Sequence, residues 1–314
     1  MAIRPDFRPS AVPAAGSADG HPRVTAVVPV RNRRAITLRF LEQIGRQTYP
    51  NLQVVVVDSN SSDGTVEAIR EAFPGVQLLT AGDDDYWTGA TNRGVRQALE
   101  WGSEWLLTIN DDAVIADDHV ERLVAISLRH GCRILGSQIN VLDDPERIWS
   151  LGTFTQWGSD NLLRLGHHGL GNSERRPELM GQEVLPVDAL AGNGVLIHHS
   201  VFRSIGLYNA VWLPHYHADS ELVMRAVSRG ISAWVTPQLI LLNDFKAEQK
   251  SLPLRSFKGF LWTIGHPKSH LYLPAIVLIV INYSPTLQKL PTLLALLFRF
   301  LRLRERPGQP SPIG

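Results

Sequence analysis

Cysteine is almost missing from this chain: there is one, Cys132, in 314 residues. An intramolecular disulfide and a cysteine-only zinc or iron–sulfur site are thereby excluded. So is a small disulfide-stapled secreted module, and a reducing compartment is the expectation. Long hydrophobic runs are missing too. No segment reaches the roughly 18 uninterrupted apolar residues of a membrane span. Residues 1–23 carry Pro5, Pro9, Pro13 and Pro22 but no apolar stretch of the kind a signal peptide needs, and a flexible leader is expected there. Neither the phosphate-loop pattern GxxxxGK(S/T) nor a GxGxxG fingerprint after the first strand occurs, which argues against a P-loop enzyme and lowers the case for a nicotinamide dehydrogenase. No internal repeat is visible.

What is present fits a globular protein. Apolar residues make up 44% and charged residues 19%, which excludes disordered, collagen-like and coiled-coil chains. The net charge of +1 conceals an asymmetry. From Lys250 onward nine basic residues face one acidic, a balance of +8, and the remaining 22 basic and 29 acidic residues give −7. Charge of this kind speaks of partners rather than fold. An acidic body with a basic, apolar tail suggests a catalytic or binding domain that touches an anionic surface, and no nucleic-acid partner is expected.

Val24–Val30 (VTAVVPV) is a β-branched run that predicts a buried strand, followed by a helix over 35–47 with Ile36, Phe40, Leu41 and Ile44 at helical spacing. The alternation continues: a strand over 52–57, a helix over 65–73, a strand over 76–79, a helix over 91–101, a strand over 105–109 and a helix over 117–130. Strands alternating with helices imply a mainly parallel sheet, whose ligands sit at the carboxyl ends of the strands. Polar clusters fall there: Arg31-Asn32, Asp58, and Asn110-Asp111-Asp112. Residues 142–187 show weak periodicity and predict loops and short strands framing a second substrate. Ala191–His198 predicts a glycine-rich turn into a strand. Helices over 199–205 and 220–229 follow, then strands over 231–236 and 239–242.

Each cluster has two uses. Adjacent carboxylates at Asp111 and Asp112 repel and need a cation or strong donors. A hard divalent ion on a diphosphate would supply that, as would an ordinary solvated turn. Asp58 can accept hydrogen bonds from a base or ribose, whereas Asp63 and Thr65 suit a helix cap. The stretch Asp83 to Gly94 packs acids, aromatics and small residues ahead of a helix, with Gly89 placed to let backbone approach a ligand. Asp219 is an N-cap or a general base. His215 and His217 have a spacing open to zinc, but no further histidine or cysteine cluster lies nearby.

Taken in order, VVPVRNR (27–33), VVVVDSNSSDGT (54–65), the Trp87–Gly94 stretch, TINDDA (108–113), AGNGVLI (191–197) and ADSELVMRA (218–226) resemble the family 2 glycosyltransferases. The Trp87–Gly94 stretch is most similar to the rhamnosyl- and galactofuranosyl-transferase branch. The resemblance covers roughly residues 24–245. It implies an α/β GT-A fold, Rossmann-like, with a mainly parallel sheet and flanking helices. It implies a nucleotide pocket lined by Pro29, Arg31 and Asp58, with Asp84 and Asn92 nearby, and Mg²⁺ or Mn²⁺ on Asp112 helped by Asp111. Asp219 matches the catalytic base, with Glu221 and Arg225 orienting it. Gly192, Asn193 and Gly194 border the donor sugar or acceptor. One departure stands out: where family members often carry a metal-binding histidine on the late strand, this chain has Asn243, an oxygen ligand, with Asp244 next.

These implications describe an inverting, metal-dependent transfer from a nucleoside-diphosphate sugar to a glycan or lipid-linked acceptor, in cell-surface polysaccharide assembly. A glycoside hydrolase built on Asp112 and Asp219, or a non-catalytic nucleotide-sugar binder, are the alternatives. The expected divisions are the leader (1–23), the catalytic domain (24–249), a helical tail (250–306) and a disordered end (307–314). Within the tail, residues 287–303 set Phe298, Phe300 and leucines against Arg299, Arg302 and Arg304, the pattern of an interfacial helix. That pattern puts the protein in the cytoplasm, peripheral to the inner face of the cell membrane. Packing on the body or a homo-oligomer contact would use the same residues.

Overall fold

The protein is described here by a computed structural model covering residues 20–174, 181–245 and 256–305. The chain opens as β1 (Val24–Val30), α1 (Arg34–Ile44), β2 (Leu52–Asp58), α2 (Thr65–Ala72), β3 (Gln77–Thr80), α3 (Tyr86–Glu100), β4 (Trp105–Thr108), β5 (Ala113–Val114) and α4 (His119–His130). It continues through β6 (Ile134–Val141), β7 (Asp144–Ser150), β8 (Thr153–Thr155), β9 (Leu163–Leu165), β10 (Leu185–Val187), β11 (Val195–His198), α5 (His199–Ile205), α6 (Ala218–Ser228) and β12 (Ala233–Asn243). Three helices close the described chain: α7 (Phe257–Gly265), α8 (Leu273–Tyr283) and α9 (Thr286–Glu305).

The main sheet runs β10-β12-β6-β11-β4-β1-β2-β3. Strands β3, β2, β1 and β4 are parallel. Beyond them β11 lies antiparallel between β4 and β6, and β12 runs parallel to β6. The result is an α/β sheet covered on both faces, the GT-A type of architecture. Strand alternation decides the faces. Val24, Ala26, Val28 and Val30 meet Phe40, Leu41 and Ile44 of α1 and Leu123 of α4, while Val27 points the other way, to Val95 and Ala98 of α3.

Helix α3 begins five residues before its expected start and carries the close approach to the sheet. A Cβ on Gly94 would stand 2.4 Å from Val27 Cγ1 and 3.1 Å from Val57 Cγ2. Gly89 faces the Asp85 side chain at 2.8 Å in the same sense, so both glycines are packing positions. Gly94→Ala should destabilise the protein by about 1–3 kcal/mol, the usual cost of overpacking a filled core. A urea midpoint equal to that of the parent would refute it.

The late strands form one element. Expected as two, β12 is continuous, with a register shift between Thr236 and Ile240 where Pro237 interrupts the ladder. Strand β6, ILGSQINV, has no counterpart in the sequence pattern because its buried side chains include Ser137, Gln138 and Asn140. These satisfy one another locally: Gln138 Nε2 donates to Asn140 Oδ1 at 2.8 Å, and Asn140 Nδ2 donates to the Pro145 carbonyl at 2.6 Å.

Residues 21–23, assigned to the leader, are fastened to the body. The His21 and Pro22 carbonyls accept from Asn51 Nδ2 and the Tyr49 hydroxyl, and the Arg23 carbonyl accepts from Glu104 and Trp105. The rest of the leader, residues 246–255 and the last nine residues lie outside the described residues. Among the described residues no helix is long and apolar enough to cross a membrane.

Burial sets an acid limit on stability. His119, His198, His215 and His270 are each lowered to about 4, in every case chiefly by desolvation. They stay neutral in the folded protein but take up protons near 6.5 when it unfolds. Their stabilising effect is complete above pH 6.5 and is lost as the pH falls toward 4. Asp111, raised to about 6 by burial, and Asp219, also raised by burial, work in the opposite direction but are two groups against four. The urea midpoint should therefore drop clearly between pH 7.5 and pH 5. A flat or rising profile would contradict this.

Candidate active site

The turn after β4 brings Asn110, Asp111 and Asp112 to the carboxyl end of the parallel sheet. Arg33, just ahead of α1, clasps both acids: Nη1 lies 3.0 Å from Asp111 Oδ1, and Nη2 lies 2.7 Å from Asp112 Oδ2. Thr37 of α1 donates to Asp111 Oδ2 at 2.7 Å. Both Asp111 oxygens are therefore committed within the protein, and its side chain is 1% exposed. Asp112 differs. Its Oδ1 is buried and has no hydrogen-bond partner.

The sheet brings Asn243 to the same place. In the antiparallel pairing of β5 with β12, Asn243 stands opposite Ala113, next to Asp112 in sequence. Its Oδ1 accepts from Asn193 Nδ2 at 2.9 Å, and Asn193 Oδ1 accepts from the Asn110 backbone N–H at 2.9 Å. Gly192 then links this station to the second. Its N–H donates to Asp219 Oδ2 at 2.7 Å, and the Ser220 N–H donates to Oδ1 at 2.7 Å. A Cβ on Gly192 would meet Trp87 at 2.7 Å and the Asp219 Cβ at 3.0 Å. Two consecutive residues, Gly192 and Asn193, thus touch Asp219 on one side and Asn110 and Asn243 on the other.

Burial raises the Asp219 pKa above its ordinary value, and the N–H groups of Ser220 and Gly192 and the nearby His217 only partly oppose this. A carboxylate pushed toward neutrality by its surroundings but held by two backbone donors is suited to accept a proton.

The expected nucleotide pocket is less uniform. Pro29 lies near the end of β1 opposite Val57. Asp58 ends β2, with Oδ2 accepting from the Ser61 N–H at 2.9 Å and Oδ1 buried without a partner. Arg31 reaches Asp83 Oδ1 at 2.7 Å, and Asp84 is exposed beside it. Asn92 is turned to a different task. Its Nδ2 donates to the Tyr208 carbonyl and its Oδ1 accepts from the Tyr208 N–H, at 2.9 and 3.0 Å. With both ends of the amide used and 4% exposure, Asn92 holds the loop after α5.

Glu221 and Arg225 form an i, i+4 pair at 3.1 Å on α6. Arg225 also donates to the Ile205 and Leu207 carbonyls, and Tyr283 of α8 donates to Glu221 Oε1. Both orient the base-bearing helix. Sequence reasoning missed Arg33, Thr37 and Trp87, whose Nε1 donates to Asn110 Oδ1 at 3.1 Å. Arg33 lay within a quoted motif, but nothing local showed that it would face acids nearly eighty residues away.

His215 and His217 diverge. His217 Nε2 contacts the His270 carbonyl at 2.7 Å, and the His215 ring packs on Tyr86 and Tyr216. For Mg²⁺ or Mn²⁺ the donor chemistry at Asp112 fits: a buried carboxylate oxygen with no hydrogen-bond partner suits a hard cation that takes its remaining ligands from phosphate and water.

Comparison with known proteins adds the following. A family model described as glycosyl transferase family 2 matches residues 25–183, just over half of the chain. The chain is 26% identical over 232 residues to the succinoglycan biosynthesis protein ExoA of Rhizobium meliloti, covering 73% of this chain and 64% of that protein. It is 27% identical over 225 residues to an N-acetylglucosaminyl-diphospho-decaprenol L-rhamnosyltransferase of Mycobacterium tuberculosis, covering 65% of this chain and 70% of the relative. Among solved structures, S. aureus TarS superposes with a TM-score of 0.54 at 14% identity, over 88% of this chain and 43% of that one.

Proposed function

We propose that this chain, which belongs to glycosyl transferase family 2, moves a sugar from a nucleoside-diphosphate donor to an acceptor hydroxyl with inversion at the anomeric carbon. The observation that carries this reading is the Gly192-Asn193 link, which sets Asp219 across from the Asn110–Asp112 turn.

In this reading Asp58 and Pro29 receive the nucleoside, and Arg31 is drawn from Asp83 toward the donor. Asp112, with Asn243 beside it, holds Mg²⁺ or Mn²⁺, which when bound supplies Lewis-acid neutralisation of the diphosphate leaving group. Asp111 fixes Arg33, and Arg33 keeps the Asp112 carboxylate in place. The Asp219 carboxylate takes the proton of the attacking hydroxyl, its oxygens held in position by Gly192 and Ser220. A single base on the far side of the leaving group gives one in-line displacement and therefore inversion.

A lipid-linked or glycan acceptor suits the relatives' names. One acts on an N-acetylglucosaminyl-diphospho-decaprenol and the other serves succinoglycan biosynthesis. The basic helix α9 keeps Leu287 88% exposed and Phe298 59% exposed. Both features suit work at the cytoplasmic face of a membrane.

A thermal-shift screen of uridine, thymidine and guanosine diphosphate sugars, with and without Mn²⁺, tests the donor. A ligand at 100 times its Kd stabilises the folded state by about 2.7 kcal/mol, so one nucleotide class should raise the melting temperature, and more so with metal. No shift with any of them, together with sugar release from a simple glycoside, would favour a hydrolase instead.

A further inference from the structure

A cavity lies away from the acids, between the three C-terminal helices. It holds about 430 Å³ and is lined by Phe260 and Ile264 of α7, Ile276 of α8, and Leu293, Leu296 and Phe300 of α9, with further aliphatic side chains at its rim. That volume falls in the range of small-molecule sites, about 300–1,000 Å³. The lining is almost wholly apolar, and the rim is open where Leu297 and Leu301 are 51% and 45% exposed.

We infer that this cavity seats one hydrocarbon chain of an amphiphilic acceptor, whose polar end lies toward Asp219. This rests on the transferase reading above and names the acceptor's chemistry.

Three observations favour a lipid chain over other occupants. The cavity joins the site through packed elements: α8, which forms one wall, lies against α6, the helix that carries Asp219, and Tyr283 of α8 bonds Glu221 of α6. The segment before Asp219 and the segment before α8 meet in a cluster of polar donors suited to an anionic linker. His217 and His270 are joined by a side chain-to-carbonyl contact, Lys268 sits 5.5 Å over the Tyr86 ring, and His215 Nδ1 and His270 Nε2 are buried with no hydrogen-bond partner. Charge agrees: from Ser256 to Arg304 the chain has Lys258, Lys268, Lys289, Arg299, Arg302 and Arg304 and no acidic residue. The two undescribed segments that flank these helices in the chain suit the cavity poorly, because residues 246–255 and 306–314 contribute only Leu252, Leu254 and Ile313 as large aliphatic side chains.

The test is equilibrium binding of dansyl-undecanoic acid, which brightens in apolar surroundings, to the full chain. Saturable one-to-one binding is expected, with displacement by hexadecyl phosphate but not by inorganic phosphate. Ile276→Trp and Leu293→Trp, which fill the cavity from opposite walls, should each weaken binding by about tenfold or more, a loss of about 1.4 kcal/mol. Either variant suffices if the other does not fold. Leu287→Ser, outside the lining, should bind like the parent.

Absence of saturable binding overturns the inference, as does binding indifferent to both tryptophans. Displacement by phosphatidylglycerol vesicles but not by hexadecyl phosphate would make the face a membrane contact. A concentration-dependent dimer that excludes the probe would make it a subunit contact. Both outcomes overturn the inference. The assay uses no nucleotide sugar, so it can fail while donor binding and transfer stand, and succeed while they fail.

Discussion

Asp219→Asn should cut the transfer rate by about 10²–10⁴, the range that a positioned general base contributes, while nucleotide-sugar binding stays near that of the parent. The substitution is nearly isosteric. Asp219 accepts from two backbone N–H groups, Ser220 at Oδ1 and Gly192 at Oδ2. The asparagine amide has a single oxygen, so one of those donors loses its acceptor, at a cost of about 1–3 kcal/mol if it stays buried. Stability should fall modestly and kcat steeply, with KM for the donor little changed. The wild-type rate should also show an acid limb, because the base works only when ionised. Burial raises the Asp219 pKa, so activity should decline at a pH above the ordinary carboxylate value as the pH is lowered. A rate within tenfold of the parent would remove Asp219 from the chemistry. Loss of donor binding in step with rate would make it a structural support of the Gly192 turn.

The parallel half of the sheet was legible because its residues carry the signal locally. VTAVVPV and LQVVVV are mostly β-branched and apolar, with Thr25 buried and only Gln53 exposed, and each is followed by a polar residue at the strand's carboxyl end, which is where topology puts ligands. The rest depended on contacts between distant segments. Helix α3 reaches back to Tyr86 because Gly94 and Gly89 let it press on β1 and on Asp85, and in sequence Gly89 reads as a place where backbone approaches a ligand. Strand β6 was hidden because Gln138 and Asn140 are polar, and only the fold shows them bonded to each other. The site divides in the same way. Asp58, Asp112 and Asp219 announced themselves by placement. Asn92 resembled a ligand-facing residue, yet its amide donates to the Tyr208 carbonyl, an acceptor that no local pattern specifies.

Asp112→Ala should weaken nucleotide-sugar binding in Mn²⁺ and lower transfer by about 100-fold or more, equivalent to about 2.7 kcal/mol at 1.36 kcal/mol per decade. The two neighbouring acids differ in how their oxygens are used. Asp111 is consumed by Arg33 and Thr37 and sits in the core. Asp112 has one oxygen on Arg33 and the other buried without a partner. Leaving such an oxygen unsatisfied is costly, and a cation in the working enzyme would relieve that cost. Removing the carboxylate leaves Arg33 anchored by Asp111, so the fold should survive, whereas Asp111→Ala would take the buried partner from Arg33 Nη1 and leave the Thr37 hydroxyl only its longer bond to the Arg33 carbonyl, and should act mainly on stability. The two variants should therefore separate: Asp112→Ala melts near the parent but loses the Mn²⁺-dependent shift in melting temperature with donor, and Asp111→Ala melts lower. If Asp112→Ala instead lowers the melting temperature and its folded fraction binds donor as tightly as the parent in Mn²⁺, Asp112 is a counter-ion to Arg33 and the cation must be held elsewhere.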